Sequence, residues 1–257
     1  MEMKVLAVGD VVAPSGLEYL KRQLRALRRE RNIDFCVVNG ENASVLGMTP
    51  RQADEMLDAG ADVITMGNHT WGRRELVPYL AASKEVLRPA NLSPLQPGRG
   101  WGVYATQFGD VAVIDLIGRV GMDYSPDNPF LAVERILKRI ETKLVFVEIH
   151  AEATSEKLAM GWMLDGKVSA VWGTHTHVQT SDAEVLPKGT GYITDLGMTG
   201  AVNSVIGIDP EQSVGKFMGD PPRRYDSPSG PAKLEGCIFE IDPETGRCLS
   251  AEAIRLK

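Results

Sequence analysis

Short apolar runs, rich in β-branched side chains, recur along the chain and stop at polar or glycine residues. Six of them are Val5–Val8, Phe35–Val38, Val63–Met66, Val111–Ile114, Leu144–Val147 and Val168–Trp172. Runs this short with this composition predict buried strands. Gly191–Thr194, Cys237–Ile241 and Ala253–Leu256 predict three more. Helical spacing appears between many of them. Leu17, Leu20, Leu24 and Leu27 predict a helix over Gly16–Arg31. Thr49 and Pro50 suit the cap and first turn of a second helix, which ends at Ala59–Gly60. Leu131, Ile136, Leu137 and Ile140 share one stripe of a helix over Phe130–Ile140, and Ser155–Leu164 is a fourth, less regular candidate. Alternating strands and helices predict an α/β layered fold, and the close spacing of the last strands predicts that some are antiparallel.

Two stretches lack periodicity. Pro89–Gly102 reads as a loop, with Gly98–Gly102 as a turn, since it lacks the strand and helix context of a dinucleotide fingerprint. Asp195–Pro231 is long enough to predict a task, either covering a site or meeting another subunit, and its Arg223-Arg224-Tyr225 cluster could meet a nucleotide. No internal repeat or linker-like composition divides the chain, so one domain over residues 1–257 is expected.

Composition narrows the class. The 257 residues carry a net charge of -6, which gives no overall pull toward nucleic acid. Six Lys/Arg between Lys21 and Arg31 fall in a helical pattern and read as a solvated face. Three cysteines, Cys36, Cys237 and Cys248, are odd in number and lack C-x-x-C spacing, which argues against a disulfide framework and for a reducing compartment. With no signal-peptide pattern and no membrane-length apolar run, a soluble cytoplasmic protein without a membrane partner is expected.

The candidate chemistry lies where the strands end. The groups that follow successive strands are Asp10, then Glu41 and Asn42, then Asn68 and His69, then His150, then His175 and His177. Ligands of α/β sheets gather at the carboxyl ends of strands, so these groups can converge. All four histidines of the chain fall at such ends. His175 and His177 are two apart, so in extended chain both point to one side, where they suit one metal or two. Asp10, Glu41, Asn42, Asn68, His150, His175 and His177 are seven N/O ligands, too many for one tetrahedral zinc but suited to two metals sharing a carboxylate. That donor mixture fits iron, manganese or zinc. Paired metals serve hydrolysis. Asp115 and Arg119 read as an ion pair beside the site.

The blocks Gly9-Asp10, Asn39-Gly40-Glu41-Asn42, Gly67-Asn68-His69, His150 and Gly173-Thr174-His175-Thr176-His177 resemble those of the calcineurin-like metallophosphoesterases. Asn39–Ala43, Gly67–Trp71, His150–Glu156 and Thr194–Gly200 resemble more narrowly those of the bacterial YmdB-like branch, a similarity that runs over nearly the whole chain. The resemblance implies a four-layer sandwich of two mixed β-sheets flanked by helices. It implies a phosphodiesterase acting on small phosphodiesters, with cyclic nucleotides as the substrate class, through attack of a metal-bridging hydroxide. It assigns Asp10 and His177 to one metal, Asn68, His150 and His175 to the other, Glu41 to the bridge, Asn42 as a further ligand, and His69 to the leaving group. Val12 replaces the histidine of the wider Asp-x-His block, and Glu41 replaces the wider bridging Asp; both departures match the YmdB-like branch. The first metal position then has one imidazole and an oxygen-rich remainder, which favours iron or manganese over zinc. Two rivals stand beside this reading: a dinuclear amidohydrolase, and a nucleotide-responsive regulator that keeps the metal site with little turnover. RNA as a substrate and a homo-oligomer stay open.

Overall fold

The computed structural model describes residues 2–122 and 125–257. Its elements run β1 (Met3–Val8), β2 (Asp10–Val11), α1 (Ala13–Arg31), β3 (Phe35–Asn39), α2 (Pro50–Ala59), β4 (Val63–Thr65), α3 (Leu76–Ala82), β5 (Val86–Leu87), β6 (Trp101–Thr106) and β7 (Gly109–Ile117). There follow α4 (Pro129–Leu137), β8 (Leu144–His150), α5 (Thr154–Leu164), β9 (Ala170–Thr174), β10 (Glu184–Val185), β11 (Gly191–Ile193), β12 (Met198–Ala201), α6 (Pro210–Met218), β13 (Ala232–Ile241) and β14 (Cys248–Leu256). Every strand and helix expected from the apolar pattern is present within a few residues at its ends.

The strands form two mixed sheets. The first has the order β2-β12-β13-β1-β3-β4-β5, with β14 also paired to β13. Here β1, β3, β4 and β5 are parallel, while β13 runs antiparallel to both β1 and β14. The second has the order β10-β11-β9-β8-β7-β6, parallel from β11 to β7 with antiparallel edges. The antiparallel strands near the C-terminus are those the close spacing predicted.

Strand alternation explains the layering, because successive side chains leave opposite faces of a sheet. On β1, Leu6 and Val8 pack with Leu17, Leu20 and Leu24 of α1 and Met56 of α2, while Met3, Val5 and Ala7 face the other way. Those three meet Val113, Phe146 and Trp172 of the second sheet. On that sheet Ile114, Val145 and Val171 turn outward onto Val133 of α4 and Met160 of α5. Three apolar layers thus join helices, sheet, sheet and helices, which is the four-layer sandwich expected.

Several elements depart from the pattern. The 195–231 stretch, expected as a loop, contains β12 and α6. The helix α6 has a capping Asp209 whose side chain accepts the Glu211 and Gln212 N–H groups, Pro210 in its first turn and left-handed Gly219 at its end. Its apolar Val214, Phe217 and Met218 are exposed, so no buried stripe announced it. Residues 89–100 form no helix or strand, but Trp101 already opens β6. α3 carries Pro78 within its first turn, where the missing N–H costs no helical bond. Cys36, Cys237 and Cys248 are all free and buried. Among the described residues no helix is long and apolar enough to cross a membrane.

Candidate metal centre

The parallel strands of both sheets deliver their carboxyl ends to one place. The first sheet contributes Asp10, Glu41, Asn42, Asn68 and His69, and the second contributes His150, His175 and His177. Asp10 sits in β2, which is held by β12 in parallel register, Met198 opposite Asp10. The expected covering segment therefore supplies part of the floor of this site. Gly67 separates β4 from Asn68, and its lack of a side chain is required: a Cβ there would collide with Glu41 Oε2 and the His150 ring.

All eight candidate residues are linked. His150 Nε2 lies 2.8 Å from Asn68 Oδ1, 3.0 Å from His175 Nδ1 and 3.1 Å from Glu41 Oε1. Glu41 Oε2 accepts the His69 backbone N–H at 2.9 Å, and Oε1 is 3.1 Å from His69 Nδ1. The Asn42 amide nitrogen is 3.2 Å from the same His69 nitrogen, and the Asn68 amide nitrogen is 3.2 Å from His69 Nε2. Asp10 Oδ2 accepts the His175 N–H at 3.2 Å, and its Oδ1 lies 3.7 Å from His177 Nε2. Glu41, His150 and His175 present donor atoms within 4.8 Å of one another. Asp10 and His177 form a pair beside them. Val12 turns instead into a small apolar cluster with Ala13 and Met198.

The outer nitrogen of each clustered histidine fixes its tautomer. His150 Nδ1 is 2.9 Å from Thr174 Oγ1, whose own hydrogen goes to Glu148 Oε1 at 3.0 Å, so Nδ1 carries the proton. His177 Nδ1 donates to the Ile206 carbonyl at 2.8 Å, and His175 Nε2 lies 3.2 Å from Glu152 Oε2. The inner nitrogens of His175 and His177 are left with a lone pair, whereas His150 Nε2 faces the acceptor oxygens of Asn68 and Glu41; an outer hydrogen bond of this kind is how metal-ligating histidines are held. Asp10 Oδ1 and Asn42 Oδ1 are buried without any hydrogen-bond partner. Buried unpaired oxygens are costly, and a cation beside them would relieve that cost. The residues present thus fit a metal centre.

The electrostatics agree. Burial alone would lower the proton affinity of His150, but Glu41 and Asp10 outweigh it and raise its pKa to about 9. His175 is pushed down to about 3 by burial and by His150. Burial would raise Glu41, yet His150 and His69 hold its carboxyl well below the usual range. Burial raises the Asp10 carboxyl, against the lowering pull of His177 and His150. The cluster therefore retains positive charge at His150 Nε2, where a metal would displace the proton.

The extended chain expected at His175 and His177 is not found. β9 ends at Thr174, and both histidines take left-handed backbone conformations, φ 98° and 62°. They converge because Thr176 between them is pinned: Asp195 Oδ2 accepts its N–H at 3.2 Å and its hydroxyl at 2.8 Å. Lys157 Nζ, fully buried, meets the same Asp195 oxygen at 2.6 Å. Ala13, Val45 and Ile206 are also left-handed, and each borders a candidate ligand through a backbone or side-chain hydrogen bond. Non-glycine residues in that region store strain of about 1–3 kcal/mol each and cluster at functional sites.

Behind the ligands lies a network that strand patterns did not single out. Glu148 accepts from Asn39, Thr65, Trp172 and Thr174. Burial raises its pKa, and burial with Glu148 raises that of Asp115 further. A charged residue inside an otherwise apolar run was the available signal for both. The expected Asp115–Arg119 pair does not form: Asp115 accepts the Met66 N–H, and the Arg119 N–H goes to Glu156.

Comparison with known proteins follows this geometry. A family model described as "YmdB-like protein" matches residues 6–254. A Bacillus subtilis (strain 168) protein named 2′,3′-cyclic-nucleotide 2′-phosphodiesterase is 40% identical over 255 residues, 98% of this chain and 96% of that protein. A crystal structure of a protein from Thermus thermophilus superposes with a TM-score of 0.92 at 38% identity, covering 99% of each chain. The crystal structure of a phosphatase from Mycoplasma pneumoniae gives 0.93 at 33% identity, over 100% of this chain and 94% of the other.

Proposed function

The chain belongs to the YmdB-like family, and on that premise we propose that it is a two-metal phosphodiesterase with cyclic nucleotides among its substrates. The observation that carries this reading is the gathering of His150 and His175 with Glu41 and Asn68, beside His177 and the unpartnered, buried Asp10 oxygen that lies 3.7 Å from its Nε2. Asp10, His177 and Asn42 would hold one ion, and Asn68, His150 and His175 the other, with Glu41 shared. The harder oxygen-rich first set favours iron or manganese. Two such ions supply Lewis acidity toward the phosphoryl oxygens and make water acidic enough to act as nucleophile near neutral pH.

The chain's own groups do the rest. Water releases one proton to solvent as its oxygen bonds to phosphorus and the ester P–O bond breaks; the departing oxygen takes a proton from His69, which solvent restores. That side chain is 30% exposed, whereas Glu41 beside it is 1% exposed, so His69 is the clustered imidazole most open to substrate. Glu41 Oε1 at 3.1 Å from Nδ1, with the His69 backbone N–H on Oε2, orients its ring. Thr174, supported by Glu148, keeps the His150 tautomer fixed through turnover.

Turnover of bis(p-nitrophenyl) phosphate and of 2′,3′- and 3′,5′-cyclic nucleotides, set against an amide panel, tests the reading. Phosphodiester hydrolysis abolished by chelator and restored by metal is expected. Amide turnover without diester turnover would favour the amidohydrolase. Tight nucleotide binding with no single-turnover product would favour a regulator.

A further inference from the structure

Next to the cluster lies a groove of about 610 Å³ that the mechanism above does not use. Its walls come from the first half of α1, the turn after Asn42, Gln52 of α2, Arg73, and residues 224–230. The volume falls within the range of about 300–1,000 Å³ typical of small-molecule sites. The groove neighbours the candidate metal ligands: Val45 in its wall accepts the Asn42 side-chain N–H at 2.9 Å. Val45 holds a left-handed φ of 69°, unusual for a β-branched residue, so the turn is kept in place against its own preference.

Three arginines line the groove: Arg22, Arg73 and Arg224. Among the described residues none of them makes an ion pair. Arg73 donates one terminal N–H to the Ser44 carbonyl at 3.1 Å, while its buried Nε has no partner. The acids on the same walls are engaged: Glu18 pairs with Lys21, and Asp226 accepts from the Gln212 amide. Ser15 and Ser227, 3.2 Å apart, join the helix wall to the 224–230 wall. The groove's side chains carry three positive and two negative groups, a small positive excess in a protein of net charge -6. Guanidinium groups suit phosphate in particular, through two parallel N–H bonds.

We infer that this groove is a subsite for a second phosphate of the substrate, so that a phosphodiester flanked by a further phosphate, as in a short single-stranded oligonucleotide, is held better than an isolated one. The inference rests on the phosphodiesterase reading above. An isolated cyclic nucleotide has only the phosphate that the metals take, and it leaves the arginines idle. An oligonucleotide carries a further phosphate on the adjoining nucleotide, which the arginines can meet.

The experiment compares kcat/KM for the dinucleotide ApA with that for its 5′-phosphorylated and 3′-phosphorylated forms, in wild type, Arg73→Met, Arg224→Ala and the double variant. Bis(p-nitrophenyl) phosphate is run alongside. Wild type should prefer one phosphorylated form by about tenfold, the worth of about one charge-assisted hydrogen bond. The double variant should bring that preference within about twofold of unity. Arg224 is exposed on an extended segment, so its variant reports on binding even where Arg73→Met loses thermal stability. A wild type indifferent to the added phosphate, or a preference that survives the double variant, overturns the subsite. Inert bis(p-nitrophenyl) phosphate together with inert dinucleotides overturns the phosphodiesterase reading, and the subsite with it.

Discussion

Replacing Lys157 by Met tests how the histidine turn is held. Lys157 and Asp195 are each 1% exposed, and their 2.6 Å contact is the countercharge for a carboxylate buried between α5 and the turn after β9. Lys157→Met keeps the length of the stem and removes the charge. Asp195 would still accept from the Thr176 N–H, the Thr176 hydroxyl and the Gly197 N–H, but no positive group would face it. Removing one partner of a buried pair costs about 3–5 kcal/mol, and three surviving donors put the expected loss near the lower end, about 3 kcal/mol. Against a total of about 5–15 kcal/mol that is a large fraction. The assay is urea unfolding of metal-stripped protein, followed by circular dichroism and fluorescence, whose coincident transitions license a two-state treatment. Adding Asp195→Asn should recover part of the loss, because the unpaired charge is then gone. A loss below about 1 kcal/mol would make the pair no better than a surface bridge. A double variant whose loss equals the sum of the singles would show that the two side chains do not act together.

His69→Ala should leave metal content near wild type and lower kcat about 10²-fold, read by elemental analysis beside steady-state kinetics; unchanged kcat removes it from proton transfer. Asp10→Asn should weaken one metal position and Glu41→Ala both, measured as metal per chain; two tightly held ions in Glu41→Ala would show that Glu41 does not bridge. Gly67→Ala forces a methyl group against Glu41 and His150, so it should destabilise by about 1–3 kcal/mol and lower metal content, seen in thermal melts with and without chelator. Wild-type stability and metal retention in that variant would mean that β4 shifts freely, against its pairing with β3 and β5.

Much of this was readable in the sequence because burial and chemistry sit in adjacent residues. Val5–Val8 followed by Asp10, or Val63–Met66 followed by Asn68, couples a strand signal to a polar end within one short stretch. The YmdB-like blocks then supplied the layering and the candidate ligand set. What stayed hidden was long-range. Thr174, which fixes the His150 tautomer, is 24 residues from it, and Lys157 is 38 from Asp195. No local pattern marks such partners. The turn at His175 was misjudged because two-residue spacing implies a common side only in extended chain, and Asp195 bends it otherwise. α6 escaped notice for the opposite reason: its caps were local and complete, but its apolar residues face outward and leave no buried stripe.

The position of β13 bears on how the protein is made. It lies between β1 and β12, pairing Met3 with Ile241, and its Glu235 carbonyl accepts the Gly9 N–H next to Asp10. At synthesis rates of about 5–20 residues per second, β1 waits roughly 10–50 s on the ribosome for that partner. Until then an apolar strand edge is open to other chains, and the backbone beside Asp10 has no anchor. Helices α1 and α2 can cover one face of β1 and β3 early, but the metal centre can be assembled only after the last strands emerge. A metal-binding nascent chain therefore acquires its ions late, and slowing translation just before residue 232 should raise the aggregated fraction more than slowing it after residue 241.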